Sequence, residues 1–297
     1  CRLFYYCGVI VYLCFGLTFM FNLIRRIGLD IGLSQRRSEW VGGIVALTLW
    51  PSTTLCYYTF SPMSHIAAFT SCSAFLLAWW YTKDTDSVVR WLICGVSCGV
   101  LVLCRWQALL FIVLPLYYEL CSLSSRQTES PFYFRRSWWI SRLFCVVVFL
   151  ITLIPQLIEW KVIYGSFIAV PQGRTFFEFP PQHILHVLFS TQHGWLPWTP
   201  VVLLGVLGLV YGSWRLPCVW VPLLLAVALQ VCVVGSLPGA WHGVSNSFGT
   251  RMLAVTVPVI GLGVAVLLFC RVPSIPWAVA VFGALCILYT QLGCLQF

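Results

Sequence analysis

Residues 91–122, WLICGVSCGVLVLCRWQALLFIVLPLYYELCS, decide how this chain folds. The run is apolar on both sides of Arg105, so it reads either as one long helix or as two short helices meeting at CRWQ. A helix rises 1.5 Å per residue and a bilayer core is about 30 Å thick, so roughly 20 apolar residues make one crossing. Length therefore leaves the choice open, and charge decides it. Arg25, Arg26, Arg36 and Arg37 place the first loop in the cytoplasm, and Lys83 and Arg90 mark the next cytoplasmic loop. With a single crossing over 91–122, the loop bearing Arg126, Arg135, Arg136 and Arg142 would face outward. An out-and-back hairpin keeps those four inside, together with Arg215 and Arg271. The hairpin is the reading that satisfies the positive-inside rule.

Outside that stretch, apolar runs of membrane length fall at about 3–24, 40–58, 64–82, 138–157, 196–213, 217–236, 252–270 and 275–293. The expected fold is an all-α integral membrane protein of about ten membrane segments, including the short helical hairpin, in one polytopic domain over 1–297. Composition agrees: 60% of residues are hydrophobic, 8% are charged, and the mean hydropathy is +0.92. A soluble domain carries roughly 25% charged residues. The net charge of +9 sits in short arginine clusters between apolar runs, the pattern of topological anchors, so nucleic acid is not the partner it implies. The fifteen cysteines lie mostly inside apolar runs, without CxxC or zinc-type spacing, and read as small hydrophobes. The chain opens at Cys1 directly in an apolar run too long for a signal-peptide core, and the expectation is that native sequence precedes it.

Polar residues concentrate in two places. The first is PQGRTFFEFPPQHILHVLFSTQHGWLPWTP at 171–200 and the second is PGAWHGVSNSFGTR at 238–251. Both belong to expected extracytoplasmic loops, at about 158–195 and 237–251, and polar groups in such a chain mark candidate working surface. Within the first loop, QHILHVLFS alternates polar and apolar positions like a short helix lying on the membrane surface.

Glu159 and Glu178 are the carboxylates expected on the outward face. Glu178, between two phenylalanines, reads either as a base or cation ligand or as a structural partner of Arg174. His183, His186 and His193 lack HxxxH spacing and an acidic or cysteine companion, so contacts with substrate or interface are expected at them ahead of a metal. No cofactor is assigned, and a divalent metal stays an open alternative. Arg251 is the sharpest candidate. It precedes an apolar run at the depth of lipid phosphates, on the face where snorkelling anchors are scarce, and its fork suits bidentate phosphate binding. Arg174 and Arg105 follow by the same argument. Gly243 and Gly249 would let backbone approach a ligand closely.

Four segments together resemble the polytopic glycosyltransferases of the GT-C superfamily that use lipid-phosphosugars. They are SPMSHIAAF at 61–69, GVSCGVLVLCRWQALLFIVLPL at 95–116, PQGRTFFEFPPQHILHVLFSTQHGWLPWTPVVLLGVLGL at 171–209 and WHGVSNSFGTRMLAVTVPVIGLG at 241–263. The likeness is to bacterial members related to protein O-mannosyltransferases and lipid-A aminoarabinose transferases, in a bacterial plasma membrane. It implies inverting transfer of a sugar from a polyprenyl-phosphate donor to an acceptor on the outer face. By resemblance, Arg251 matches the basic residue near the donor phosphate, and His193, Gly194 and Trp195 line the cavity. Trp241, His242 and Asn246 join them as donor-binding candidates, with membrane lipids as further partners. The family's catalytic aspartate follows the first transmembrane helix, and no position here matches that loop. The expectation is that it lies upstream or that the chain is not catalytic, and Glu178 does not take its role by resemblance. Two other readings stand beside this one. A non-enzymatic lipid-binding or lipid-moving protein would use the same cavity, whereas a secondary transporter lacks the charged mid-span residues and repeat it would need.

Overall fold

A chain this apolar has to satisfy its backbone hydrogen bonds internally, because hydrocarbon offers none. In the computed structural model, which describes residues 2–60, 64–126, 136–170, 176–237 and 248–296, every regular element among the described residues is accordingly helical. The chain runs α1 (Arg2–Asp30), α2 (Gln35–Leu49), a one-turn α3 (Leu55–Tyr58), α4 (His65–Thr82) and α5 (Val88–Cys104). A 3-10 helix (Trp106–Ile112) leads into α6 (Val113–Arg126), then α7 (Arg136–Tyr164), α8 (Ile184–Phe189), α9 (Trp195–Trp198), α10 (Val201–Arg215) and α11 (Pro217–Gly235). A second 3-10 helix (Arg251–Thr256) precedes α12 (Val257–Leu268) and α13 (Ser274–Gln296).

Arg105 breaks the stretch that opened the sequence reading. Its backbone is extended, with φ −155° and ψ 114°, and α5 ends there. Tyr118 of α6 then donates a hydrogen bond to Asp84, just ahead of α5, so the chain reverses at Arg105. Among the described residues, six segments are long and apolar enough to cross a membrane: Tyr6–Asp30, Trp106–Leu123, Arg136–Tyr164, Pro217–Gly235, Arg251–Leu268 and Ser274–Gln296. This makes the chain a multi-pass membrane protein by the character of its helices. Three of the other expected spans form shorter helices, α2, α5 and α10, of 15, 17 and 15 residues, below the roughly 20 that cross without help from neighbours.

Boundaries differ from the sequence reading where packing extends or cuts an element. The helix expected to end at 157 continues to Tyr164, because buried Trp160 stacks on Trp106 at 4.7 Å and holds that turn in place. The run expected over 196–213 divides into α9 and α10 around Thr199 and Pro200. The amphipathic QHILHVLFS forms α8.

The core is built by α1 against α2 and α4, α4 against α5, α5 against α7, and α10 against α11 and α12. Gly208 and Gly263 show how closely α10 and α12 approach. A Cβ at Gly208 would lie 1.8 Å from the Gly263 carbonyl oxygen, so the two backbones touch directly. By contrast α7 exposes Leu143, Val146, Leu150, Ile154 and Ile158, as a helix facing hydrocarbon does.

Most of the charge collects at one end of the helices. A cavity of about 520 Å³ there is lined by Arg26, Asp30, Lys83, Asp84, Arg90 and Tyr118. Arg142 reaches both Asp86 and Glu119, at 2.6 and 2.9 Å. Arg26 pairs with Asp30 at 3.1 Å, Lys83 with Asp84, and Arg25 with Glu39 at 3.8 Å. Arg37 donates to the Cys270 carbonyl at 3.0 Å, and Arg215 to the Tyr211 hydroxyl at 3.1 Å.

Candidate functional site

At the opposite end the chemistry changes. Arg105, placed at the reversal between α5 and the first 3-10 helix, points at the start of α4. Its Nη2 lies 2.6 Å from His65 Nδ1, and its Nη1 donates to Met252 Sδ at 3.1 Å. A guanidinium has donors only, so His65 Nδ1 accepts and the imidazole carries its proton on Nε2. Thioether sulfur is a weak acceptor, and the third donor, Arg105 Nε, is buried without a hydrogen-bond partner among the described residues. No carboxylate lies within ion-pair distance of Arg105 among those residues either. Burial, and after it the charge of Arg251, pull the Arg105 pKa down to about 10, which leaves the side chain cationic at neutral pH.

Arg251 opens the second 3-10 helix, one residue before the Met252 that Arg105 contacts. Its charge acts on both Arg105 and His65. Two like charges held together in a partly dry place repel each other, and an anion between them removes that cost. The position of Arg251 follows from its approach. Gly249 adopts φ +61°, and a Cβ there would sit 2.9 Å from Thr54 Cγ2 and 3.2 Å from Trp198 Cβ. A non-glycine residue at 249 would meet both a backbone penalty and a steric one.

The frame around the arginines is rigid. Tyr58 tilts over the His65 ring at 4.3 Å and donates to the Phe248 carbonyl at 3.1 Å. Phe248 stacks on Tyr57 at 5.4 Å and meets Trp198 edge-on at 5.0 Å. Gln107 donates to the Met252 carbonyl at 2.7 Å, and Gln230 of α11 donates to the Gln107 carbonyl at 2.8 Å. Five segments distant in sequence, around Tyr58, Gln107, Trp198, Gln230 and Met252, thus converge on one spot.

Of the residues singled out in the sequence, Arg105 and Arg251 come together. His193 lies beside them: its carbonyl accepts from Thr250, and its ring stacks at 6.0 Å on Trp198. Trp195 is buried at the start of α9 and supports this wall. Glu178 sits elsewhere. Its carboxylate pairs with His183 at 3.4 Å, and its N–H donates to the Ser236 carbonyl at the end of α11. Arg174, Trp241, His242, Gly243 and Asn246 fall outside the described residues. Among the described residues no group of three or more His, Cys, Asp or Glu gathers at metal-binding distance. His65, Tyr58, Gln107 and Met252 escaped the sequence reading, although a histidine at the mouth of an apolar run (SPMSHIAAF) was the available signal for the first.

No family model, no curated protein and no solved structure matches this chain. The class defined by fold and site is a multi-pass helical membrane protein with two neighbouring arginines at the end opposite its cationic clusters, of which Arg105 keeps one buried N–H without an acceptor among the described residues.

Proposed function

We propose that this chain binds a polyprenyl-phosphate-linked sugar and serves its transfer to an acceptor on the extracytoplasmic face, with Arg105 and Arg251 holding the donor phosphate. The reading takes ten helical legs as crossings. They are α1, α2, α4, α5, the Trp106–Arg126 leg, α7, α10, α11, the Arg251–Leu268 leg and α13. The cationic end then faces the cytoplasm by the positive-inside rule, and the arginine pair faces outward at the depth of lipid phosphates.

One observation supports it above the rest: a buried guanidinium donor has no acceptor among the described residues while the charge of a second guanidinium acts on it. A phosphate monoester or diester supplies the missing acceptors. When the bond between sugar C1 and phosphate oxygen breaks, negative charge grows on the departing phosphate, and fixed cations stabilise it. His65 accepts from Arg105 and fixes the plane of its fork, so the donor face is set before ligand arrives.

A specific observation favours a second reading, a lipid-phosphate carrier without chemistry. Glu178, the described outward carboxylate nearest in sequence to the candidate walls, pairs with His183. The test is sugar transfer from a polyprenyl-phosphate donor in membranes holding the full chain. Arg105→Gln and Arg251→Gln should each abolish transfer while leaving the protein folded. Wild-type protein that binds the donor yet releases no polyprenyl phosphate would replace transfer by carriage, and arginine variants with full turnover would remove both readings.

A further inference from the structure

The fifteen cysteines read from sequence as small hydrophobes, but the fold pairs six of them. Cys94 and Cys145 on α5 and α7, Cys121 and Cys218 at the cationic end, and Cys56 and Cys294 at the arginine-pair end stand near enough for one thiol to act on the ionisation of the other. The third pair has independent geometric support. Gln291 Nε2 lies 3.4 Å from Cys56 Sγ and also donates to the Pro51 carbonyl at 2.8 Å. Thr290 donates to the Ser52 carbonyl at 3.4 Å. Cys294 is three residues beyond Gln291 on α13, hence on the same helix face. The last turns of α13 are therefore held in register against the 51–56 turn, with Cys294 one turn beyond the Gln291 that touches Cys56.

We propose that Cys56 and Cys294 form a regulatory or stabilising disulfide that fastens α13 to the turn carrying Tyr58, and that of the three thiol pairs this one alone oxidises. The inference rests on the orientation adopted above and not on the sugar chemistry. Compartment separates the three pairs. Cys94 and Cys145 lie in mid-helix among apolar neighbours, out of reach of a water-borne oxidant. Cys121 and Cys218 share the cationic end, which that orientation puts in the reducing cytoplasm. Cys56 and Cys294 share the outward end, where oxidants operate.

The step needs a protein or small-molecule disulfide as oxidant. One of the two thiols attacks it as thiolate, forming a mixed disulfide and expelling one thiolate, and its neighbour then attacks the bridged protein sulfur and expels the second. Two protein thiols lose two protons and two electrons, and the oxidant leaves as two thiols. The neighbouring Cys294 thiol pulls the Cys56 thiol below its usual range against the opposing effect of burial, which makes Cys56 the readier thiolate of the pair. The link matters to the site because Tyr58, two residues past Cys56, packs on His65 and bonds the Phe248 carbonyl.

The test uses the full chain in native membranes. Free thiols are blocked with N-ethylmaleimide without reduction, and the digested protein is read by mass spectrometry, before and after treatment with oxidised glutathione. The expected result is a Cys56–Cys294 linked peptide lighter by two hydrogens, with Cys94, Cys145, Cys121 and Cys218 unlinked. Cys56→Ser should leave Cys294 fully alkylated, and Cys294→Ser should do the same for Cys56. Labelling of both Cys56 and Cys294 after glutathione treatment overturns the proposal. A linked Cys121–Cys218 peptide in its place also overturns it and shows that the adopted orientation failed, while leaving the phosphate site itself to the binding assay.

Discussion

At the cationic end Arg142 is held by two carboxylates, and Arg26 and Lys83 by one each, whereas at the other end Arg105 has a neutral imidazole and a thioether. Both arrangements use the same side-chain chemistry, yet Arg142 is fully ion-paired while Arg105 keeps an N–H without an acceptor among the described residues. Arg142, Arg26 and Lys83 are neutralised by carboxylates of the protein itself. A charge left unneutralised in a partly buried place costs stability, and a site for an anion is the physical reason to keep it.

The contrast is broken or sharpened most strongly by exchanging roles. Arg105→Gln removes charge at the arginine pair and, on the proposed function, should cut donor-phosphate turnover by about 100-fold or more, with the thermal midpoint retained or raised. Arg142→Met does the opposite: it leaves Asp86 and Glu119 facing each other without a cation. It should lower stability by about 1–3 kcal/mol in a denaturation series, with donor affinity unchanged. Both effects in the same variant would erase the distinction between the two ends.

Gly208→Leu tests whether the frame between the ends is as close as it looks. Its side chain has no room against Gly263, and a loss of about 2–4 kcal/mol or failure to accumulate is expected, read as the fraction of folded protein in detergent. His65→Ala should weaken binding of an isoprenyl phosphate by about tenfold without changing its salt dependence, since it removes orientation and not charge. His65→Asn, which retains an acceptor, should recover part of that loss. Arg26→Ala is the smallest expected change: the pair is largely exposed, and about 0.5 kcal/mol or less should separate it from wild type in the same denaturation series.

The helical membrane character was legible because apolar runs and arginine clusters carry it locally. The helix break at Arg105 was legible too, since the flanking charges favoured two short helices over one long one. Helix ends were less so: α7 outruns its apolar stretch because Trp160 stacks on a residue 54 positions away in sequence (160 − 106). The site divides in the same way. Arg105 and Arg251 stand out as cations on the sparsely charged face, but their meeting depends on the packing of α4, α5 and the Arg251–Thr256 turn. His65 acquires its role only through a partner 40 residues on. The cysteine pairs join positions as far apart as 56 and 294, and no spacing rule exposes such a pair.

Direct binding of an isoprenyl monophosphate, followed by native mass spectrometry on wild-type, Arg105→Gln, Arg251→Gln and Arg142→Gln proteins, goes straight to the arginine pair. Arg105→Gln and Arg251→Gln should each bind at least about tenfold more weakly than wild type, and Arg142→Gln should bind as wild type does. Equal binding by wild type and Arg105→Gln would contradict the assignment of that end as a phosphate site.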